Sequence, residues 1–202
     1  MRTLIIIFCF SFIGCNSKQA LYQDIKSKGV LIAGSTDQYE LKNSIQILNN
    51  DESEFATIYR NNEGEIIKSI TDSLKIRAFY PDYSIVIFDS KKSEEGYEIF
   101  VNGDWKKIKP NNNLSFVLWE NFIEQIYLGL KLENPLRVKK SDTSKIIRGY
   151  EDLYYEVLER DGDWIKVRCW KDCEGCPKGK IIEGWIKWKN DQKLLVNLYY
   201  IC

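Results

Sequence analysis

The chain contains no histidine among its 202 residues, and this absence removes more chemistry than any motif in the sequence supplies. Histidine is the usual general base near neutral pH, the usual neutral metal ligand and the base of every Ser-His or Cys-His nucleophile pair, so those arrangements are all excluded. Excess charge is also missing: Lys+Arg 29 stand against Asp+Glu 29. Such a balance gives no global basic field to gather nucleic acid and no acidic tail, so nucleic acid is not an expected partner. No phosphate-cradling glycine loop and no zinc-protease helix occurs. Asp161-Gly162-Asp163 lacks the further oxygen ligands of a calcium loop and reads as a turn. Lys106-Lys107 and Lys139-Lys140 are short charge pairs on solvated faces. Carboxylate-pair chemistry of the glycosidase kind survives these exclusions, because Asp and Glu are plentiful, but no local context singles out a pair. The expectation is a protein that is not an enzyme and carries no cofactor and no metal.

What is present starts at the N-terminus. Arg2, an apolar run from Leu4 to Ile13 and then Gly14-Cys15-Asn16-Ser17 have the layout of a secretory signal. The run is about half the ~20 residues needed to cross a bilayer, and no second hydrophobic span follows. Phe12-Ile13-Gly14-Cys15 resembles the lipobox of bacterial lipoproteins. In that family the cysteine is lipidated and becomes the new N-terminus, which implies a signal peptide over 1–14, lipidation of Cys15, and a tether over 15–29. The resulting expectation is a bacterial envelope protein, lipid-anchored and facing the periplasm, with the membrane as its first partner.

Cysteine usage fits the same compartment. Of six cysteines, Cys9 leaves with the signal and Cys15 is taken by lipid, leaving Cys169, Cys173, Cys176 and Cys202. An even remainder in an exported protein reads as two disulfides, with three connectivities open. The rival reading is a four-thiolate zinc or iron–sulfur site, since Cys169-x-x-x-Cys173-x-x-Cys176 is close enough for tetrahedral ligation; export favours the disulfides. A redox dithiol at Cys173-x-x-Cys176 lacks the helix start that such sites use.

Residues 30–133 read as an α+β domain, an antiparallel meander plus one covering helix. Phe55–Tyr59, Glu65–Ile70, Leu74–Tyr80, Tyr83–Phe88 and Tyr97–Val101 are short runs of β-branched and aromatic residues separated by turn residues. Asn102-Gly103 should fold the last of them back on Asp104–Ile108. From Phe116 through Trp119, Ile123, Ile126, Tyr127 and Leu130, spacings of three and four predict a helix with Ser115 as N-cap and Gly129 at the exit.

Residues 134–202 resemble the bacterial SH3-like repeat. The matching segments are Pro135–Val138 into Lys139–Ile147, Leu153–Arg160, Asp161-Gly162-Asp163-Trp164 with the strand Ile165–Arg168, and Gly184-Trp185-Ile186-Lys187-Trp188. The resemblance implies a small β-barrel serving as a binding module for peptides or cell-wall peptide stems, with a cysteine-bearing insertion over Trp170–Glu183. Alternation within the segment assigns the core to Leu136, Val138, Ile146, Val157, Ile165, Val167 and Ile186. The crowded aromatics Tyr154, Tyr155, Trp164, Trp170, Trp185 and Trp188 are the candidate ligand-binding residues, because rigid rings with polar tips are enriched at interfaces. Mainly β architecture and non-catalytic binding of an envelope protein or peptidoglycan peptide follow, with a toxin- or hydrolase-neutralising immunity lipoprotein and a carboxylate-dependent enzyme as the other readings.

Overall fold

The computed structural model describes residues 24–33, 44–60, 66–68, 74–80, 85–110, 114–171, 176–177 and 179–200. The expected signal peptide, Cys15, Cys173, Cys202 and the turns at 61–64 and 81–82 lie outside the described residues.

The architecture is mainly β, in two antiparallel sheets. The first is built from β1 (Gly29–Ala33), β2 (Ile45–Leu48), β3 (Glu54–Arg60), β4 (Ile66–Lys68), β5 (Ala78–Tyr80), β6 (Ile85–Ser93), β7 (Gly96–Val101), β8 (Asp104–Ile108) and β9 (Leu114–Leu118). Its order is β4-β3-β2-β8-β7-β6-β1-β9, with β5 on β6. The Asn102-Gly103 turn forms as expected, with φ 54° and 88°, and closes the β7–β8 hairpin. β1 and β6 are neighbours toward the β9 edge; β1 reads Gly-Val-Leu-Ile-Ala and β6 begins Ile-Val-Ile-Phe, near-continuous apolar runs rather than alternating ones. The reason is burial on both faces. Leu31, Ala33, Val86 and Phe88 face a core shared with Ile45, Ile47, Ile58 and Ile99, while Val30, Ile85 and Ile87 face a second core.

That second core belongs to both sheets. It joins Ile25, Val30 and Ile87 to Trp119, Phe122, Ile123 and Ile126, and onward to Leu128, Tyr155, Ile165, Ile186 and Trp188. The second sheet comprises β10 (Tyr127–Leu130), β11 (Tyr154–Asp161), β12 (Trp164–Cys169), β13 (Glu183–Lys187) and β16 (Val196–Tyr199), in the order β13-β12-β11-β10-β16. A small hairpin, β14 (Lys189–Asn190) with β15 (Lys193–Leu194), connects β13 to β16. β10 lies N-terminal to the 133/134 division expected from sequence, yet its hydrogen bonds are to β11 and β16.

The expected covering helix is corrected to one turn, α1 (Trp119–Phe122), whose N-cap is Leu118 rather than Ser115. Phe116 and Val117 belong to β9, paired with β1, and Gly129 is a mid-strand residue of β10. A three-four spacing arises here because a strand, a single turn and another strand each send residues into the same core. The flanks gain ladder partners, β9 on β1 and β10 on β11 and β16, which a solitary helix would not supply. Trp119 and Phe122 still do the covering, both buried and edge-on to each other at 5.5 Å.

One buried ion pair lies on the first sheet's side of the seam with the second. Arg77, just before β5, bonds the Asp89 carboxylate of β6 through Nε at 3.1 Å and through an Nη, and also donates to the Asp24 carbonyl. Both side chains are essentially without solvent exposure, and the guanidinium lies 5.2 Å from the Trp119 ring. Burial pushes the Asp89 carboxyl above its usual range, and Arg77 pulls it back.

In the second sheet, Leu136, Ile165, Val167 and Ile186 are buried as the alternation requires, with Val157 packed against them. Val138 is corrected: it is 50% exposed, because it follows the bridge that Arg137 makes to Trp185 and points away from the sheet. Tyr155, Trp188, Leu194 and Val196 fill the core beside these residues. Among the described residues no helix is long and apolar enough to cross a membrane.

Candidate functional site

β12 alternates without a break: Ile165, Val167 and Cys169 go into the core, and Trp164, Lys166 and Arg168 go outward, with Trp170 continuing the outward set. Register fixes what lies beside them. Glu156 opposes Arg168, Trp185 opposes Lys166 and Lys187 opposes Trp164. On the other flank Gly129 opposes Tyr154 and Asn197, and Tyr127 opposes Tyr199. One face of the sheet therefore carries Tyr127, Tyr154, Trp164, Trp170, Trp185 and Tyr199, all partly exposed.

Four of these rings meet in two pairs, which together make a corner of this face. Tyr154 and Tyr199 meet edge-on with centroids 4.9 Å apart, and Tyr127 lies tilted against Trp170 at 5.4 Å. Tyr199 sits on β16 and Tyr154 on β11, so their contact has to cross β10. It does so over Gly129, where a Cβ would stand 2.7 Å from the Tyr199 ring. The glycine is thus a notch that lets two aromatic side chains meet over a strand. Partial burial, with Tyr154 adjacent, holds the Tyr199 phenol above the ordinary tyrosine range.

The rest of the face is cations laid over rings and tied to carboxylates. Lys187 Nζ is 5.1 Å from the Trp164 centroid and 2.6 Å from Asp142, and Lys140 lies 5.9 Å from the Trp185 centroid while pairing with Asp161. Arg168 holds Glu156 at 2.5 and 2.7 Å, and Lys166 stands 3.6 Å from Glu183. Exposed pairs of this kind contribute little to stability, on the order of 0 to 1 kcal/mol each. Their effect on the surface is to neutralise it locally and leave the ring faces as its distinctive chemistry.

Two of the six aromatics expected to bind ligand are corrected to core residues. Tyr155 is fully buried, donates its hydroxyl to the Tyr150 carbonyl at 2.8 Å, and has its phenol pushed up by burial and then by Glu151. Trp188 shares the inward parity of Ile186, is 1% exposed, and donates Nε1 to the Gly162 carbonyl at 3.1 Å. Tyr154, Trp164, Trp170 and Trp185 remain on the outward face. Tyr127 and Tyr199 join them; sequence reasoning placed Tyr127 in the helix and passed over Tyr199, although Val196 and Leu198 alternating with Asn197 and Tyr199 is a readable strand signal.

The insertion after β12 is tied back by a disulfide between Cys169 and Cys176, Cα atoms 5.4 Å apart. Two of the four sulfurs of the four-thiolate reading are thus bonded to each other. Cys173 and Cys202 are outside the described residues. The Ile182 amide donates to Cys169 Sγ and the Cys169 amide to the Ile182 carbonyl, so the bridge is anchored on the buried side of β12. No family model, no curated protein and no solved structure matches the chain.

Proposed function

We propose that the chain is a lipid-anchored bacterial envelope protein, tethered through Cys15, that binds an envelope protein or a cell-wall peptide with the outward aromatic face of its second sheet and catalyses no reaction. The observation that carries this reading is the corner of four partly exposed rings in two touching pairs, Tyr154 with Tyr199 over Gly129 and Tyr127 with Trp170. Side chains of this type bury large rigid areas at little entropic cost and dominate the energetics of interfaces. The sheet's strand order and its Gly162 hairpin are what an SH3-like module would use, and we carry that assignment as part of the proposal. Glu156, Asp161 and Glu183 are each paired with a cation on this face, which leaves the rings as the groups it offers a partner.

The test is capture on isolated peptidoglycan sacculi, and in parallel capture of envelope proteins, by the lipidated chain and by its Trp170→Ala variant. Retention lost at least tenfold in Trp170→Ala, with unchanged thermal melting, supports the face as the site. Equal retention of both chains, or none, overturns it. Capture of one secreted toxin or hydrolase together with loss of its activity would assign the immunity reading instead.

A further inference from the structure

The described chain starts at a particular place on the surface. Asp24 bridges to Lys193, and the Ile25 amide donates to the Gln192 carbonyl at 2.5 Å, so the polypeptide arrives against the β14–β15 hairpin. From Cys15 to Asp24 is nine residue steps, which reach at most about 32 Å when fully extended. Whatever holds Cys15 therefore holds this hairpin close to it.

Beside the hairpin projects the largest apolar exposure in the described residues. Lys131 and Asn134 close a tight turn, with the Asn134 amide donating to the Lys131 carbonyl at 2.8 Å. Leu132 at its tip is 89% exposed. The turn is fastened to the hairpin and not free to fold away. Lys131 Nζ donates to the Leu194 carbonyl at 2.8 Å, and Asn134 Nδ2 donates to the Lys187 and Leu195 carbonyls at 2.6 and 2.9 Å. A leucine held out on a rigid turn, next to the point where the chain enters, is placed where an inserting residue would be.

We propose that this apex, the Lys131–Asn134 turn with Leu132 at its tip and the Lys189–Leu194 hairpin, rests on the bilayer that holds Cys15. The inference rests on the lipid-anchor reading above. The occupant is a lipid surface because the tether brings one within reach, and tethering makes a contact effective that would be too weak alone. Charge around the apex is balanced. Lys26 pairs with Asp24 at 3.1 Å and Lys189 stands 3.6 Å from Asp163, leaving Lys131 and Lys193 with Glu133 and Asp191. Contact is thus apolar, with lysine stems able to extend toward the headgroups, and it does not depend on anionic lipid.

The experiment is hydroxyl-radical footprinting, read by mass spectrometry, of the full lipidated chain on phosphatidylcholine vesicles. The reference is the unacylated Cys15→Ser chain in the same suspension. Leu132 oxidation should fall at least threefold on acylation, at low and at high salt, while Ile181, 53% exposed on the cysteine insertion, is unchanged. Acylated protein with Leu132 oxidised as fast as in Cys15→Ser, or with Ile181 protected equally, overturns the docking geometry and leaves the anchor intact. Cys15 found unacylated by intact mass overturns the anchor and the docking together.

Discussion

Two strands of the first sheet and one of the second bury their side chains in opposite ways. In the first, β1 and β6 have apolar cores on both faces, so nearly every side chain is occupied in packing. In the second, β12 buries every other residue and turns the alternate ones to an outward face of aromatic rings and paired charges. Two-sided burial leaves a strand nothing to offer a partner, whereas one-sided burial gives a framework rigid on its inner side and free to vary on its outer one. On the proposed reading the binding surface falls on the second sheet, with the two-sided strands β1 and β6 as part of the scaffold behind it.

The most severe way to break this contrast is at the seam. Arg77→Met leaves the Asp89 carboxylate buried without its cation and should destabilise the chain by about 3 to 5 kcal/mol at pH 7, read as a shift in the urea midpoint. The sign with pH follows from the raised carboxyl of Asp89. A group that holds its proton more tightly when folded favours the fold at pH below its unfolded value of 3.8, and that contribution disappears as pH rises through the folded value. Removing Arg77 raises the folded value further, so the deficit of the variant against wild type should shrink on going from pH 7 to pH 5. The double variant Arg77→Met/Asp89→Leu should recover most of the loss. A deficit independent of pH would mean that Asp89 is not its source.

The second sheet has its own reinforcement, smaller because it is local. Replacing the disulfide by Cys169→Ala/Cys176→Ser opens a short loop, with a sequence separation of 7, and should cost about 2 to 3 kcal/mol in the chain-entropy model. Hydrogen exchange should place the loosening in β12 and β13 and leave β1 and β6 protected. Loosening spread evenly over both sheets would show that the cores unfold as one unit and would blur the comparison.

How far this was legible in sequence follows burial in part, since two-sided β6 was still marked by its β-branched run within Tyr83–Phe88. The strands with alternation, β7, β8, β11, β12 and β13, were readable with their turns, because a period of two together with Asn102-Gly103 or Asp161-Gly162 leaves little choice. β1, buried on both faces, carries no period, and β2 is too short to establish one; neither was found. The expected helix failed for a related reason: Phe116, Trp119, Ile123, Ile126 and Leu130 are separated by three or four, but they come from two strands and a turn, with Phe116 against one core and the other four in the second. At the site, the alternation of β12 turns Trp164 outward, whereas Trp188, expected among the ligand-binding rings, shares the inward parity of Ile186. The corner itself was not visible, since nothing local in sequence tells that Tyr199 reaches Tyr154 across a glycine on a third strand.

Two glycines sharpen the comparison with the smallest effects. At Gly29 in the first sheet, an added Cβ would stand 2.6 Å from the Val117 carbonyl oxygen and 2.5 Å from the Phe116 ring. A backbone atom in a ladder cannot step aside, so Gly29→Ala should cost about 1 to 3 kcal/mol of overpacking. At Gly129 the same Cβ meets only the end of the Tyr199 side chain, at 2.7 Å, and that ring can swing outward into solvent. Gly129→Ala should therefore cost about 1 kcal/mol or less, mostly the lost edge-on contact between Tyr154 and Tyr199. Urea titration of the two variants gives the ranking, and tyrosine near-UV dichroism reports the corner. If Gly129→Ala keeps its stability but loses the dichroic signal and the capture described above, the aromatic corner serves binding while contributing little to the fold. Should it prove as damaging as Gly29→Ala, the outward face would be packed no less tightly than the scaffold, and the division of labour between the sheets would not hold.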